Sequence, residues 1–226
     1  MKKFVLCAAA LACSAAAGLA AAAQGAQARV MVLLSPGFEE GETVEIIDVV
    51  RRGGFHVDAV SIAGQYVPGS HNIVLEADRV LSMDMKDLKE FEDYDMIVVP
   101  GGWTGVDHLV ADNRVIELVK RYDASGKFVA AMCAGPNVLA KAGVIKGKTI
   151  TAYPGKKTEP FYKDAKYVPD VVVRDGKLIT SKAPGTALPF AFALVDALGG
   201  DSATIKGRFY YDDMKAWPDG LKKDSK

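Results

Sequence analysis

The sequence predicts an α/β domain in which a mostly parallel β-sheet lies between two layers of helices. Three observations lead there. Strand-like and helix-like segments alternate along the chain. Strand-like segments such as RVMVLLS and DMIVVPGG carry continuous apolar runs rather than an apolar residue at every second position, the pattern of strands covered on both faces. Short turn signals, such as Gly101-Gly102 and Ala134-Gly135, close those strands, as in repeated βα units.

Taken in order, RVMVLLS (29–35) reads as a buried strand. ETVEIIDVVRRGG (42–54) follows with helical spacing, basic residues in its last turn and a glycine stop. FHVDAVSIAG (55–64) reads as the next strand, residues 66–82 as short strands and turns, and MKDLKEFEDY (85–94) as a polar helix or turn. DMIVVPGG (95–102) is a buried strand ending in a glycine pair. NRVIELVKRYDASG (113–126) has the apolar stripe of an amphipathic helix. KFVAAM (127–132) and PNVLAKAG (136–143) form another strand–helix pair, with Cys133 between them. Strands are expected near 148–152, 166–174 and 177–181, and PFAFALVDALGG (189–200) is an apolar closing helix. The tail, 201–226, is polar and gives no clear pattern.

The first 28 of the 226 residues read as a cleavable secretory leader. Lys2 and Lys3 precede an uncharged Ala-rich run that ends in Ala26-Gln27-Ala28, a small-x-small cleavage pattern. Cleavage after Ala28 predicts a periplasmic or secreted protein of one domain, 29–200, plus the tail. A retained anchor is the rival, but alanine is only weakly apolar. Without Lys2 and Lys3 the 28 basic residues become 26 against 28 acidic ones, a net charge of about −2. This argues against a nucleic-acid partner and against membrane binding through a basic patch.

Of three cysteines, Cys7 and Cys13 leave with the leader and Cys133 remains alone. It can form no internal disulfide, and no multi-cysteine or His-x-x-x-His metal site can be built. In open parallel sheets the ligand crevice lies beyond the carboxyl ends of the strands. SPGFEEGE, PGGWTG and MCAGP all fall at such ends, which brings a thiol, a carboxylate cluster and a glycine loop together. The small neighbours Ala131, Ala134 and Gly135 fit a nucleophile elbow at Cys133, and the helix that follows would favour its thiolate. The bland alternative is a buried, inert thiol. Glu39, Glu40 and Glu42 suit a helix N-terminus, and one of them could exchange a proton with the cysteine. PGGWTG is a tight turn whose amides, with that of Ala134, could serve an oxyanion. The histidines (His56, His71 and His108) all precede Cys133, so a triad with a downstream histidine is excluded, and Ala134 excludes a Cys-His doublet.

EEGETVEIIDVVRRGGFHV, VVPGG, VAAMCAGPNVLAKAG and TSKAPGTA together resemble the ThiJ/PfpI family over residues 29 to 200. The likeness is to its Parkinson-associated protein deglycase branch, within the class I glutamine amidotransferase-like superfamily. It implies a flavodoxin-like/Rossmann-like three-layer sandwich with a nucleophile elbow, a homodimer with the first helix and Pro184-Gly185 near its interface, and no cofactor. It assigns the reactive cysteine to Cys133 and the conserved carboxyl, protonated and hydrogen-bonded to the sulfur, to Glu42. It assigns the oxyanion amides to Gly102 and Ala134 and a basic pocket residue to Lys182. Two positions depart from the pattern: Tyr153 stands where some members have histidine, and His71-Asn72 stand where an arginine crosses the dimer. The implied activity is a glyoxalase or protein deglycase acting on 2-oxoaldehydes such as methylglyoxal or on their adducts. The rival is a non-enzymatic oxidative-stress sensor or chaperone that uses an oxidisable Cys133.

Overall fold

The computed structural model describes residues 27–155 and 157–215. The leader expected at 1–28 therefore lies outside the described residues apart from Gln27 and Ala28. In chain order the elements are β1 (Arg29–Leu34), α1 (Glu40–Arg52), β2 (His56–Ser61), β3 (Tyr66–Pro68), β4 (Val74–Glu76) and β5 (Arg79–Val80). A 3-10 turn (Met85–Phe91) leads to β6 (Met96–Val99), α2 (Trp103–Ala111), α3 (Asn113–Ala124), β7 (Phe128–Met132) and α4 (Pro136–Ala142). Then come β8 (Thr149–Ile150), β9 (Lys166–Tyr167), β10 (Val172–Asp175), β11 (Leu178–Ser181), α5 (Ala187–Ala197), α6 (Ser202–Arg208) and α7 (Tyr211–Lys215).

The seven-stranded sheet runs β10-β11-β7-β6-β1-β2-β5, and only the edge strand β10 is antiparallel to its neighbour. Alternate residues of each strand serve opposite faces. Val30 and Val32 of β1 pack with Ile46 and Val49 of α1 and Phe190 and Leu194 of α5. Met31 and Leu33 pack with Val106 of α2, Leu118 of α3 and Leu139 of α4. These two cores are why the strands are apolar throughout, and they make the fold a flavodoxin-like three-layer sandwich.

Local signals set most helix ends. Glu39 caps α1 by accepting the Glu42 amide, Asp112 caps α3, and Gly143 at φ 79° ends α4 in the left-handed turn that glycine favours. Three expectations need correction. PGGWTG is more than a turn: Trp103 begins the nine-residue helix α2. The strand expected over 166–174 is two short ones, β9 and β10. The tail begins with two short helices, and Phe209 and Tyr211 set their rings edge-on to Phe192 of α5.

Ile97, central in β6 and fully buried, should be costly to truncate. Ile97→Ala should lower unfolding free energy by about 2–5 kcal/mol in urea titrations, whereas Met83→Ala, at an 83% exposed side chain, should change it by less than about 0.5 kcal/mol.

Candidate active site

Cys133 is the residue at which β7 turns into α4, and its φ is +57°. A non-glycine residue in the left-handed region needs outside support. Here the Cys133 amide donates to Ser181 O (3.1 Å), the Tyr153 amide donates to Cys133 O (2.9 Å), and the Gly135 amide donates to Met132 O (2.7 Å). Two glycines make room for the turn. A Cβ on Gly135 would meet Val99 O at 2.3 Å, and one on Gly101 would meet the Cys133 Cβ at 2.5 Å and Glu42 Oε2 at 2.6 Å. The result is a nearly buried thiol held at one orientation.

Glu42 stands in the first turn of α1 with no exposed surface. Its Oε2 accepts the Gly101 amide at 2.7 Å. Its Oε1 has no hydrogen-bond partner among the described residues, and the polar side chain beside the carboxyl is the Cys133 thiol. Burial pushes the Glu42 carboxyl up to about 7, helped by the charges of Glu39 and Glu45 and opposed by the hydrogen bonds to Cys133 and Gly101. Burial also pushes the Cys133 thiol up, and the Glu42 carboxylate adds to the rise, while the Ala134 and Gly102 amides oppose it. The expectation of a favoured thiolate is therefore corrected: burial and an ionised Glu42 outweigh the amides, so the thiolate depends on Glu42 holding the proton. The two groups titrate as a pair. Placing the proton on Glu42 removes the repelling charge, gives the orphan oxygen a role as donor, and leaves the sulfur facing three donors.

Cys133 opens on a cavity of about 380 Å³ whose wall includes Glu39, Ser70, His71, Gly102, Trp103 and Tyr153. The three sequence segments with chemistry at strand ends thus share one space. Gly102 (φ +95°) turns its amide toward the sulfur, and a Cβ there would meet Gly37 O at 2.4 Å. Tyr153 lies edge-on to Trp103, with ring centroids 5.4 Å apart. His71 is exposed, and its Nδ1 lies 3.0 Å from Oε2 of the buried Glu40. Lys182 is not on the cavity wall; its Nζ donates to Pro169 O at 2.5 Å. His56 pairs with Asp58 at the amino end of β2, and His108 bonds Pro36 O. Glu39, Glu40 and His71 offer ligand atoms within 4.8 Å of one another, but each carboxylate already holds protein donors, Glu39 the Glu42 amide and Glu40 those of Ser70 and His71. Sequence reasoning missed Trp103 as a cavity residue and the hold of Glu40 on His71, because α2 and the burial of Glu40 are set by tertiary contacts.

Residues 28–197 match the DJ-1/PfpI family. The Drosophila melanogaster protein dj-1beta is 37% identical over 172 residues, covering 75% of this chain and 89% of that one. A glutathione-independent glyoxalase of Caenorhabditis elegans, DJR-1.2, is 35% identical over 184 residues, covering 79% and 93%. The crystal structure of Drosophila melanogaster DJ-1beta superposes with a TM-score of 0.74 at 33% identity, covering 81% of this chain and 98% of that one.

The folded state holds the Glu42 proton more tightly than the unfolded chain, so the stabilising contribution is complete below pH 4.5 and is lost as pH rises toward about 7. Glu42→Gln removes that dependence. Across this window wild type should lose about 3 kcal/mol relative to Glu42→Gln, as read from urea titrations at several pH values; parallel profiles would refute a buried, protonated Glu42.

Proposed function

We propose that this chain, which belongs to the DJ-1/PfpI family, is a cofactor-independent glyoxalase or deglycase acting on 2-oxoaldehydes such as methylglyoxal or on their early adducts. The observation that carries the reading is the contact between a buried carboxyl and a buried thiol at the floor of an open cavity. A relative bearing the name glutathione-independent glyoxalase supports the same chemistry.

The Cys133 sulfur attacks the aldehyde carbon and its proton remains on Glu42. The alkoxide of the resulting hemithioacetal takes the proton from Glu42, which is left as the carboxylate. Amides of Gly102 and Ala134, which face the sulfur, stand beside the developing oxygen charge. Glu42, as carboxylate, then removes the proton from the carbon that bears sulfur and returns it to the neighbouring carbon, converting the hemithioacetal to a thioester. A group that titrates near 7 can both take and give that proton at neutral pH. Water cleaves the thioester and releases a 2-hydroxy acid, lactate in the case of methylglyoxal. On an adduct, sulfur attacks the carbon that bears nitrogen, the carbon–nitrogen bond breaks, and the amine leaves with a proton and without its modification.

A second reading rests on one feature. The two amides around the sulfur suit the oxygens of an oxidised cysteine as well as they suit a thiolate, and this supports an oxidation sensor or chaperone role. The run from Lys2 to Ala28 supports export to the periplasm. The exposed Val44 on α1 and the exposed Pro184-Gly185 support a homodimer through that face.

Purified protein incubated with methylglyoxal and no glutathione should form lactate. Cys133→Ser should abolish turnover, and Glu42→Gln should lower it by about 10²–10⁴-fold. Absence of lactate above background, with peroxide still adding oxygen to Cys133 in both wild type and Glu42→Gln, would favour the sensor.

A further inference from the structure

We propose that His71, oriented by Glu40, is the base that activates water for thioester cleavage in the same cavity. The inference rests on the glyoxalase reading and concerns its last step. Glu42 is enclosed behind the sulfur and has no exposed surface, so it suits transfer between two carbons of a bound substrate and is badly placed to meet a water entering from solvent. The residue that takes a proton from that water must stand on the open side of the cavity.

Three side chains on the wall bear on this choice. Tyr153 presents a phenol, which is a weak base at neutral pH. Glu39 presents a carboxylate that is committed to α1, where Oε2 accepts the Glu42 amide at 2.6 Å. His71 remains, on the wall with Cys133 and three-quarters exposed at its side chain. His56 and His108 are held elsewhere by Asp58 and Pro36.

The ring of His71 is not adrift. Glu40 is 4% exposed and accepts the His71 amide, the Ser70 hydroxyl at 2.9 Å and the His71 Nδ1 at 3.0 Å. An ionised carboxylate has no proton to give, so Nδ1 carries the hydrogen and Nε2 carries the free lone pair. Nε2 has no hydrogen-bond partner among the described residues. A carboxylate on Nδ1 that fixes the tautomer and supports the imidazolium is the arrangement by which imidazole serves as a base in acyl transfer. In the step itself, Nε2 takes one proton from water as the water oxygen bonds to the thioester carbon. The carbon–sulfur bond breaks, the electron pair leaves on sulfur, and the proton passes from Nε2 to the Cys133 thiolate or to solvent. The carboxylic acid ionises on release.

Rapid-quench mass spectrometry on the full chain with methylglyoxal tests this. Wild type should release lactate without accumulating a lactoyl adduct on Cys133. His71→Gln should keep a first-turnover burst, accumulate that adduct and turn over about 10²-fold more slowly. His71→Ala should regain turnover when imidazole is added. Glu40→Gln should accumulate the adduct too, and combining it with His71→Gln should cost nothing further. A His71→Gln variant with turnover within about twofold of wild type and no adduct overturns the assignment, as does accumulation in Glu39→Gln alone. Wild type that forms no lactate overturns the glyoxalase reading and this inference with it, whereas lactate from wild type and an unaffected His71→Gln overturn the inference alone.

Discussion

A single proton shared by Glu42 and Cys133 is the constraint around which the site is built. Two acids in contact and out of water cannot both ionise, because desolvation and mutual repulsion penalise the doubly charged state. The chain supplies the counterweights as backbone amides: Gly101 on the carboxyl, and Gly102 and Ala134 on the sulfur. Amides add no net charge and do not titrate, so they stabilise the thiolate without introducing a competing base. The pair can thus exchange its proton at small cost, which a cysteine beside a lysine could not do without fixing the thiolate permanently.

That exchange demands close backbone approach, and the glycines follow from it. Gly101 must lack a Cβ for Glu42 and Cys133 to meet at all, and Gly135 must lack one for the elbow to pass Val99. The left-handed backbone at Cys133 stores about 1–3 kcal/mol. It is tolerated because β7 is an interior strand, held by β6 on one side and β11 on the other. An elbow on the edge strand β5 or β10 would lack one of those neighbours and could relax.

Strand positions were legible in the sequence because burial on both faces writes itself as unbroken apolar runs, as in VMVLL and MIVV. The α2 helix was not legible. Its first residues are Trp103, Thr104 and Gly105, no side chain caps it, and Gly105 packs so tightly that a Cβ would meet Phe38 N at 2.8 Å. Contacts with a distant segment, rather than local propensity, start that helix. The acidic cluster was half legible. Spacing marks a helix N-terminus, yet three carboxylates within four residues take three directions on a helix. Glu39 caps α1, Glu40 holds His71, and Glu42 meets the sulfur. Only family resemblance singled out Glu42 in advance. The direction of the thiol shift was missed because the local helix end was weighed and the burial of the whole elbow was not visible.

The cavity sorts its chemistry by depth. At the floor, Glu42 and the sulfur face each other with almost no access to water, so a proton removed from carbon is returned to the substrate rather than lost to solvent. At the mouth, His71 and the edge-on rings of Trp103 and Tyr153 are open to solvent. Thioester formation needs the first environment and thioester cleavage needs the second, so one enclosed base could not serve both steps well. The same division explains why Glu40, though buried, belongs to the mouth: hydrogen bonds from His71 and Ser70 outweigh its burial and hold its carboxyl near 2, ionised under all ordinary conditions. Two glutamates two residues apart on α1 are thus driven in opposite directions, one kept protonated beside sulfur and the other kept charged beside imidazole. Burial decides the first, and at the second the hydrogen bonds from His71 and Ser70 override it.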